Sequence, residues 1–156
     1  MPTPISLFSG QYRFLSNFFQ APVVLSFIHE GKRHRFTMPT VENAYQAAKV
    51  DTRLMDRVMR VQAFVSLTAG EAKKAGRSVA LRADWERIKL PLMYALLVQK
   101  FTPTDLRARL LATGDAELIE GNAWKDTYWG VDSRTGVGEN HLGKTLMRVR
   151  AEIQSA

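Results

Sequence analysis

The hydrophobic period of this chain changes once, near residue 40, and that change limits its fold more than any other feature. Before it, Val23 to Ile28 is a β-branched and aromatic run, His29-Glu30-Gly31-Lys32 reads as a turn, and Arg33 to Thr37 can be the partner strand. After it the period is helical. Thr40, with Pro39 just outside, can cap a helix over Val41 to Val50. Leu54, Met55, Val58, Met59 and Val61 form a second amphipathic stretch. Thr68-Ala69-Gly70-Glu71 is a capping box that opens a brief helix stopping at Gly76. Trp85, Ile88, Leu92, Leu96 and Gln99/Lys100 keep one stripe at helical spacing, which predicts the central core helix. Pro91 either starts that helix after a short turn or kinks it. Thr104 opens a helix ending before Gly114, and Leu142, Leu146, Val149 and Ile153 mark a last one. The expectation is a helix-rich α+β fold with a small N-terminal β-hairpin, in one domain over residues 1–156.

Length and composition narrow the function classes. At 156 residues the chain supports one sizeable core. Apolar residues make up 46% and charged residues 24%, ordinary globular proportions. No apolar run is long enough to span a bilayer, and the first residues lack the pattern of a secretory signal, so a cytoplasmic chain is expected. There is no Cys, so thiol nucleophiles, disulfides and thiolate metal sites are excluded. His29, His34 and His141 have no metal or triad spacing, and the two hairpin histidines are expected at the surface. Neither a metal nor a cofactor is therefore expected. A net charge of +7, scattered along the chain, favours an anionic partner such as nucleic acid or a phosphorylated small molecule.

Three constellations carry candidate chemistry. Glu42, Tyr45/Gln46 and Lys49 share one face at helical steps, with Glu42 in the first turn, where the helix dipole favours a carboxylate. Glu120, Asp126 and the Trp124/Tyr128/Trp129 set fall in a long Gly-rich stretch, residues 120–140, and aromatic residues in a loop suit stacking on a nucleobase. Gly136-Val137-Gly138-Glu139-Asn140 runs into a helix that carries Lys144, an arrangement able to bind an anion through backbone N–H groups. With metal and triad chemistry unsupported, carboxylates, lysine and aromatic rings remain. That inventory suits glycosidic cleavage, by a carboxylate that activates water or by a lysine that attacks C1 of a ring-opened sugar.

These residues also carry a resemblance. Phe14-Leu15-Ser16-Asn17-Phe18, Thr40-Val41-Glu42-Asn43-Ala44-Tyr45-Gln46-Ala47-Ala48-Lys49, Gly76-Arg77, Trp85, Lys100-Phe101 and Leu111-Ala112-Thr113-Gly114 occur in the order seen in the YbiA-like, or NADAR, family. So do Leu118-Ile119-Glu120, Asp126-Thr127-Tyr128-Trp129-Gly130 and Gly138-Glu139-Asn140-His141-Leu142-Gly143-Lys144-Thr145-Leu146-Met147. The chain resembles that family over nearly its whole length. The resemblance implies N-glycosidase activity on ADP-ribose attached to guanine, in a nucleotide or in DNA, or on phosphoribosylamino intermediates of riboflavin biosynthesis. It implies Glu42, Lys49 and Asp126 as the catalytic set, Trp85 and Trp129 as pocket walls, and Asn17, Arg77 and Asn140 as substrate contacts. Phe18, Tyr45, Gln46, Gly138 and Lys144 complete the expected binding residues. Two other readings stay open: a non-catalytic reader of ADP-ribose or nucleotides, and a general nucleic-acid-binding domain recognised by charge alone.

Overall fold

A computed structural model describes residues 1–156 and has the helix-rich α+β character expected, with a two-stranded antiparallel hairpin. The chain folds into two compact units, Asn17–Lys100 and the pair of segments Met1–Ser16 and Phe101–Ala156.

In the first unit, β1 (Val23–His29) pairs with β2 (Lys32–Met38) in a register running from Val23↔Met38 to His29↔Lys32. Alternation places Val23, Leu25 and Met38 in the core and turns Val24, Ser26 and Ile28 outward. Glu30 and Gly31 make the connection with φ of 51° and 76°, the left-handed pair that matches the twist of a two-residue hairpin loop. The hairpin histidines are half-buried: His34 stacks on Phe27 at 5.6 Å, and the His29 ring is covered by its surroundings. Both imidazoles offer an apolar face, and a narrow two-stranded ribbon uses it to extend its inner surface.

Four helices complete this unit: α1 (Val41–Ala47), α2 (Arg57–Gln62), α3 (Ala69–Gly76) and α4 (Trp85–Lys100). Thr40 caps α1 by accepting from the Asn43 N–H at 3.1 Å, and its hydroxyl donates to Asn43 Oδ1. Asn43 Nδ2 in turn donates to the carbonyls of Phe64 and Leu67, so one buried amide fixes α1 to the 3-10 turn Ala63–Ser66. The capping box of Thr68 and Glu71 forms as read from the sequence. Helix α1 stops at Ala47, three residues earlier than expected, because the chain turns out of it: Lys49 N–H bonds Gln46 O and Val50 enters a bridge with Leu81. Helix α4 runs unbroken through Pro91.

The last residue of α4, Lys100, is 1% exposed, with its ammonium 5.8 Å from the Phe19 ring centre. Burial lowers its pKa to about 7.

In the second unit, the Ile5 backbone bonds both Glu117 and Ile119, forming a parallel bridge with Leu118. A 3-10 turn (Gly10–Leu15) sets Phe14 edge-on to Phe101 at 6.4 Å. Helices α5 (Thr104–Ala112) and α6 (His141–Gln154) are tied by Arg150 Nη1 donating to Thr113 Oγ1. Two short parallel strands, β3 (Gly121–Asn122) and β4 (Val131–Asp132), organise the stretch that sequence periodicity leaves as a loop. No helix is long and apolar enough to cross a membrane.

The buried Lys100 makes stability depend on pH. Between pH 7 and the ordinary lysine value of 10.5, the unfolded chain binds a proton that the folded chain does not, so stability rises with pH over that window. Lys100→Met removes this dependence. Its stability relative to wild type should improve as the pH falls from 10.5 to 7, by an amount on the order of 5 kcal/mol, readable as urea midpoints across that range.

Candidate active site

The first set of predicted residues assembles around α1. The sequence allows this helix one polar and one apolar face, yet every residue from Val41 to Ala47 is buried, because α3, α4 and the hairpin pack on it. Its polar side chains are therefore held in the interior. Glu42 and Gln46 are 8% and 5% exposed, and Gln46 Nε2 donates to Glu42 Oε1 at 2.8 Å. Gly76 of α3 makes room for this amide, since a Cβ there would meet the Gln46 side chain.

Lys49 follows on the turn after α1, half-buried. Its ammonium lies 5.4 Å from the Tyr45 ring centre and 5.7 Å from that of Trp85, whose rings are themselves 5.0 Å apart. Burial lowers the Lys49 pKa; Glu42 opposes this, and Lys89 and Arg77 lower it further. The Lys49 carbonyl is fixed by the Arg82 N–H at 2.9 Å, so the residue that carries the amine has a defined backbone.

Asn17 belongs to the same assembly. Its carbonyl accepts the Glu42 N–H at 3.1 Å, and its amide donates weakly to Met93 Sδ. Asn17 Oδ1 and Gln46 Oε1 are buried acceptors that receive no protein donor, which suits a ligand rich in N–H and O–H groups. Phe18 is 38% exposed, with Lys73 over its ring, and Arg77 stands exposed at the end of α3. The structure thus brings together Asn17, Glu42, Tyr45, Gln46, Lys49, Arg77 and Trp85.

The second set lies in the other unit, around β3 and β4. Asp126 Oδ1 accepts from the backbone N–H groups of Tyr128 and Trp129, which leaves Oδ2 without a protein partner. Asn122 braces the turn: it accepts the Asp126 N–H, and its Nδ2 donates to Asp126 O and Glu120 Oε2. Gly130 permits this closeness, because a Cβ there would meet Glu120. Trp129 stands edge-on to Tyr128 at 5.0 Å, with His141 beside both, whereas Trp124 is 60% exposed.

The structure alters the reading of the Gly-rich segment. The N–H groups of Glu139, Asn140, His141 and Leu142 are used by the carbonyls of Thr127, Gly130, Tyr128 and Trp129. These backbone donors are committed inside the protein and do not present an anion cradle. Asn140 is also an internal brace, accepting from Glu120 N–H and donating to Leu118 O. Gly138 sits against the Gly130–Val131 backbone, too close for a side chain. Gly138, Asn140 and Lys144 line an open groove of about 610 Å³ together with Glu117, Asp132 and Glu139.

Two contributors escape the sequence reading. Lys89, one of the charges that bears on Lys49, sits four residues after Trp85, so helical spacing could have found it. Asn122 has no such signal, since only the β3–β4 pairing places it beside Asp126. No group of three or more His, Asp or Glu side chains is placed to hold a metal ion.

The family model described as the NADAR domain matches residues 7–154. The chain belongs to the NADAR domain family. Among its relatives in this family, an N-glycosidase of Nostoc punctiforme is 40% identical over 119 residues, covering 74% of each chain. The Escherichia coli N-glycosidase YbiA is 36% identical over 93% of this chain and 84% of its own. Its solved NMR structure superposes with a TM-score of 0.76 at 33% identity, covering 99% of this chain and 88% of that one. A riboflavin biosynthesis protein of Vibrio vulnificus is 37% identical over 90% of this chain, which spans only 35% of that longer protein.

The Lys49 environment predicts its titration. With lysine Cε labelled by carbon-13, its NMR resonance should titrate below the ordinary lysine value. Glu42→Gln should lower that midpoint further and Lys89→Met should raise it. A Lys49 midpoint at or above 10.5 would contradict the geometry.

Proposed function

We propose that this chain is an N-glycosidase that hydrolyses the bond between a nitrogen and C1 of a ribosyl group, with ADP-ribose on guanine, in a nucleotide or in DNA, as its substrate. The observation that carries the reading is Lys49, half-buried between Tyr45 and Trp85, with its pKa lowered by burial and opposed by Glu42. A lowered pKa raises the share of the neutral amine, the form that attacks carbon, and the rings offer flat surfaces to a sugar or a base. Relatives named N-glycosidases support the reaction class.

In the reaction, Lys49 Nζ attacks C1 of the ring-opened ribosyl group. The C1–N bond breaks as an imine forms on the lysine, and the departing nitrogen takes its electron pair and a proton. Water then adds to C1 and releases the sugar, returning the amine. One water is consumed overall. Glu42 receives and returns the lysine proton, and the family resemblance assigns a catalytic carboxylate role to Asp126. Arg77, whose charge bears on Lys49, is assigned to phosphate oxygens, in keeping with a net charge of +7.

A second reading has its own support. The name of the Vibrio relative favours a phosphoribosylamino-pyrimidine as substrate, cleaved at the same kind of bond. Incubation with ADP-ribosyl-guanosine, ADP-ribosylated DNA and a phosphoribosylamino-pyrimidine separates the two. Released guanine and free ADP-ribose are expected, and Lys49→Ala or Asp126→Asn should lower kcat by roughly 100-fold or more while binding persists. Release from the pyrimidine alone would establish the second reading. Binding without release from any of the three would make the chain a reader of such ligands.

A further inference from the structure

A small, partly open pocket beside α1 has no part in the chemistry above. Leu25 of β1, Val61 of α2, and Ile88 and Leu92 of α4 wall a cavity of about 100 Å³, with Arg57 and Arg82 on its lining. Arg57 is 6% exposed, a degree of burial rare for a guanidinium without a charged partner. It is held in place on one side only. Its Cζ lies 4.3 Å from the Phe27 ring centre, and Nη1 donates to the Ile28 carbonyl at 3.1 Å.

The opposite edge of Arg57, formed by Nε and Nη2, bonds no protein atom, and Nε is fully buried. That edge is the one on which arginine grips a carboxylate with two parallel N–H bonds. Arg82, on the same cavity, uses it in this way: Nε donates to Asp84 Oδ1 at 2.6 Å and Nη2 to Asp84 Oδ2 at 3.2 Å. Arg53 holds Asp51 identically. Arg57 and Arg82 thus share the field of one carboxylate, Asp84; burial and the charge of Arg82 lower the Arg57 pKa, and Asp84 opposes them. A buried cation in excess calls for an anion.

We infer that this cavity is a binding site for a short-chain aliphatic carboxylate, gripped by the Nε/Nη2 edge of Arg57 with its alkyl chain against Leu25, Val61, Ile88 and Leu92. The volume admits only a few heavy atoms, and the apolar walls favour a short alkyl tail over a fully hydrated ion such as phosphate. The site borders the catalytic helix, because Arg82 also donates to the Ala48 carbonyl. Occupancy therefore bears on the backbone that carries Lys49. The inference does not rest on the proposed N-glycosidase activity.

Titration of the whole chain with butyrate, acetate, phosphate and chloride, followed by amide NMR shifts, tests the site. Saturable shifts centred on Ala48, Arg57 and Arg82 are expected with butyrate at millimolar concentration, and weaker ones with acetate. Arg57→Lys keeps the charge but lacks the two-pronged edge, and should weaken butyrate at least tenfold with the amide spectrum of the fold retained. Ile88→Phe, which fills the cavity from α4 and leaves Arg57 itself unchanged, should do the same. No saturable shift in the wild type, an equal response to phosphate or chloride, or undiminished binding in a folded variant would each overturn the inference.

Discussion

The candidate site depends on one constraint: a short helix, α1, is buried on every side while carrying a carboxylate, an amide and the turn that bears a lysine. Interior polar groups are tolerated only when partnered. Gln46 Nε2 donates to Glu42 across one helical turn, Asn43 spends its amide on two carbonyls, and Thr40 closes the first turn. With those bonds made, α3, α4 and the hairpin can pack on α1 from all sides. Lys49 then emerges where the helix ends, in a place dry enough to disfavour its charge but within the field of Glu42.

This arrangement explains why small residues recur at particular points. Gly76 lets α3 approach Gln46, and Gly130 lets the Asp126 turn close on Glu120. In both units the polar side chains are locked by neighbours before any ligand arrives, so little reorganisation is required when charge develops in a reaction. Asp126 illustrates the economy: one carboxylate oxygen fixes the turn through two N–H bonds and the other stays available.

Much of this was legible in the sequence, and the reasons it was or was not are physical. The hairpin and the capping box rest on local rules, period-two alternation and a reciprocal side-chain bond, and both formed as read. Periodicity could not reveal β3 and β4, because two-residue strands have no period and exist only through pairing with distant backbone. The same limit hid Asn122. The polar face of α1 reads as a solvated surface by spacing alone, since spacing says which side chains align and not what packs over them. The Gly-rich entry to α6 misled in a different way: its N–H groups point along the helix as expected, but residues 127–130 reach them first. The proposed scissile bond is not a matter of spacing; it rests on family resemblance and on the N-glycosidases among the relatives.

The proposed attack of Lys49 on C1 of a ribosyl group leaves a trappable imine. Incubating the enzyme with ADP-ribosyl-guanosine and sodium cyanoborohydride, then mapping peptides by mass spectrometry, tests it directly. A reduced sugar adduct on Lys49, loss of activity in step with its formation, and no adduct in Lys49→Ala are expected. Undiminished turnover in the presence of the reductant, with Lys49 recovered unmodified, would contradict that attack.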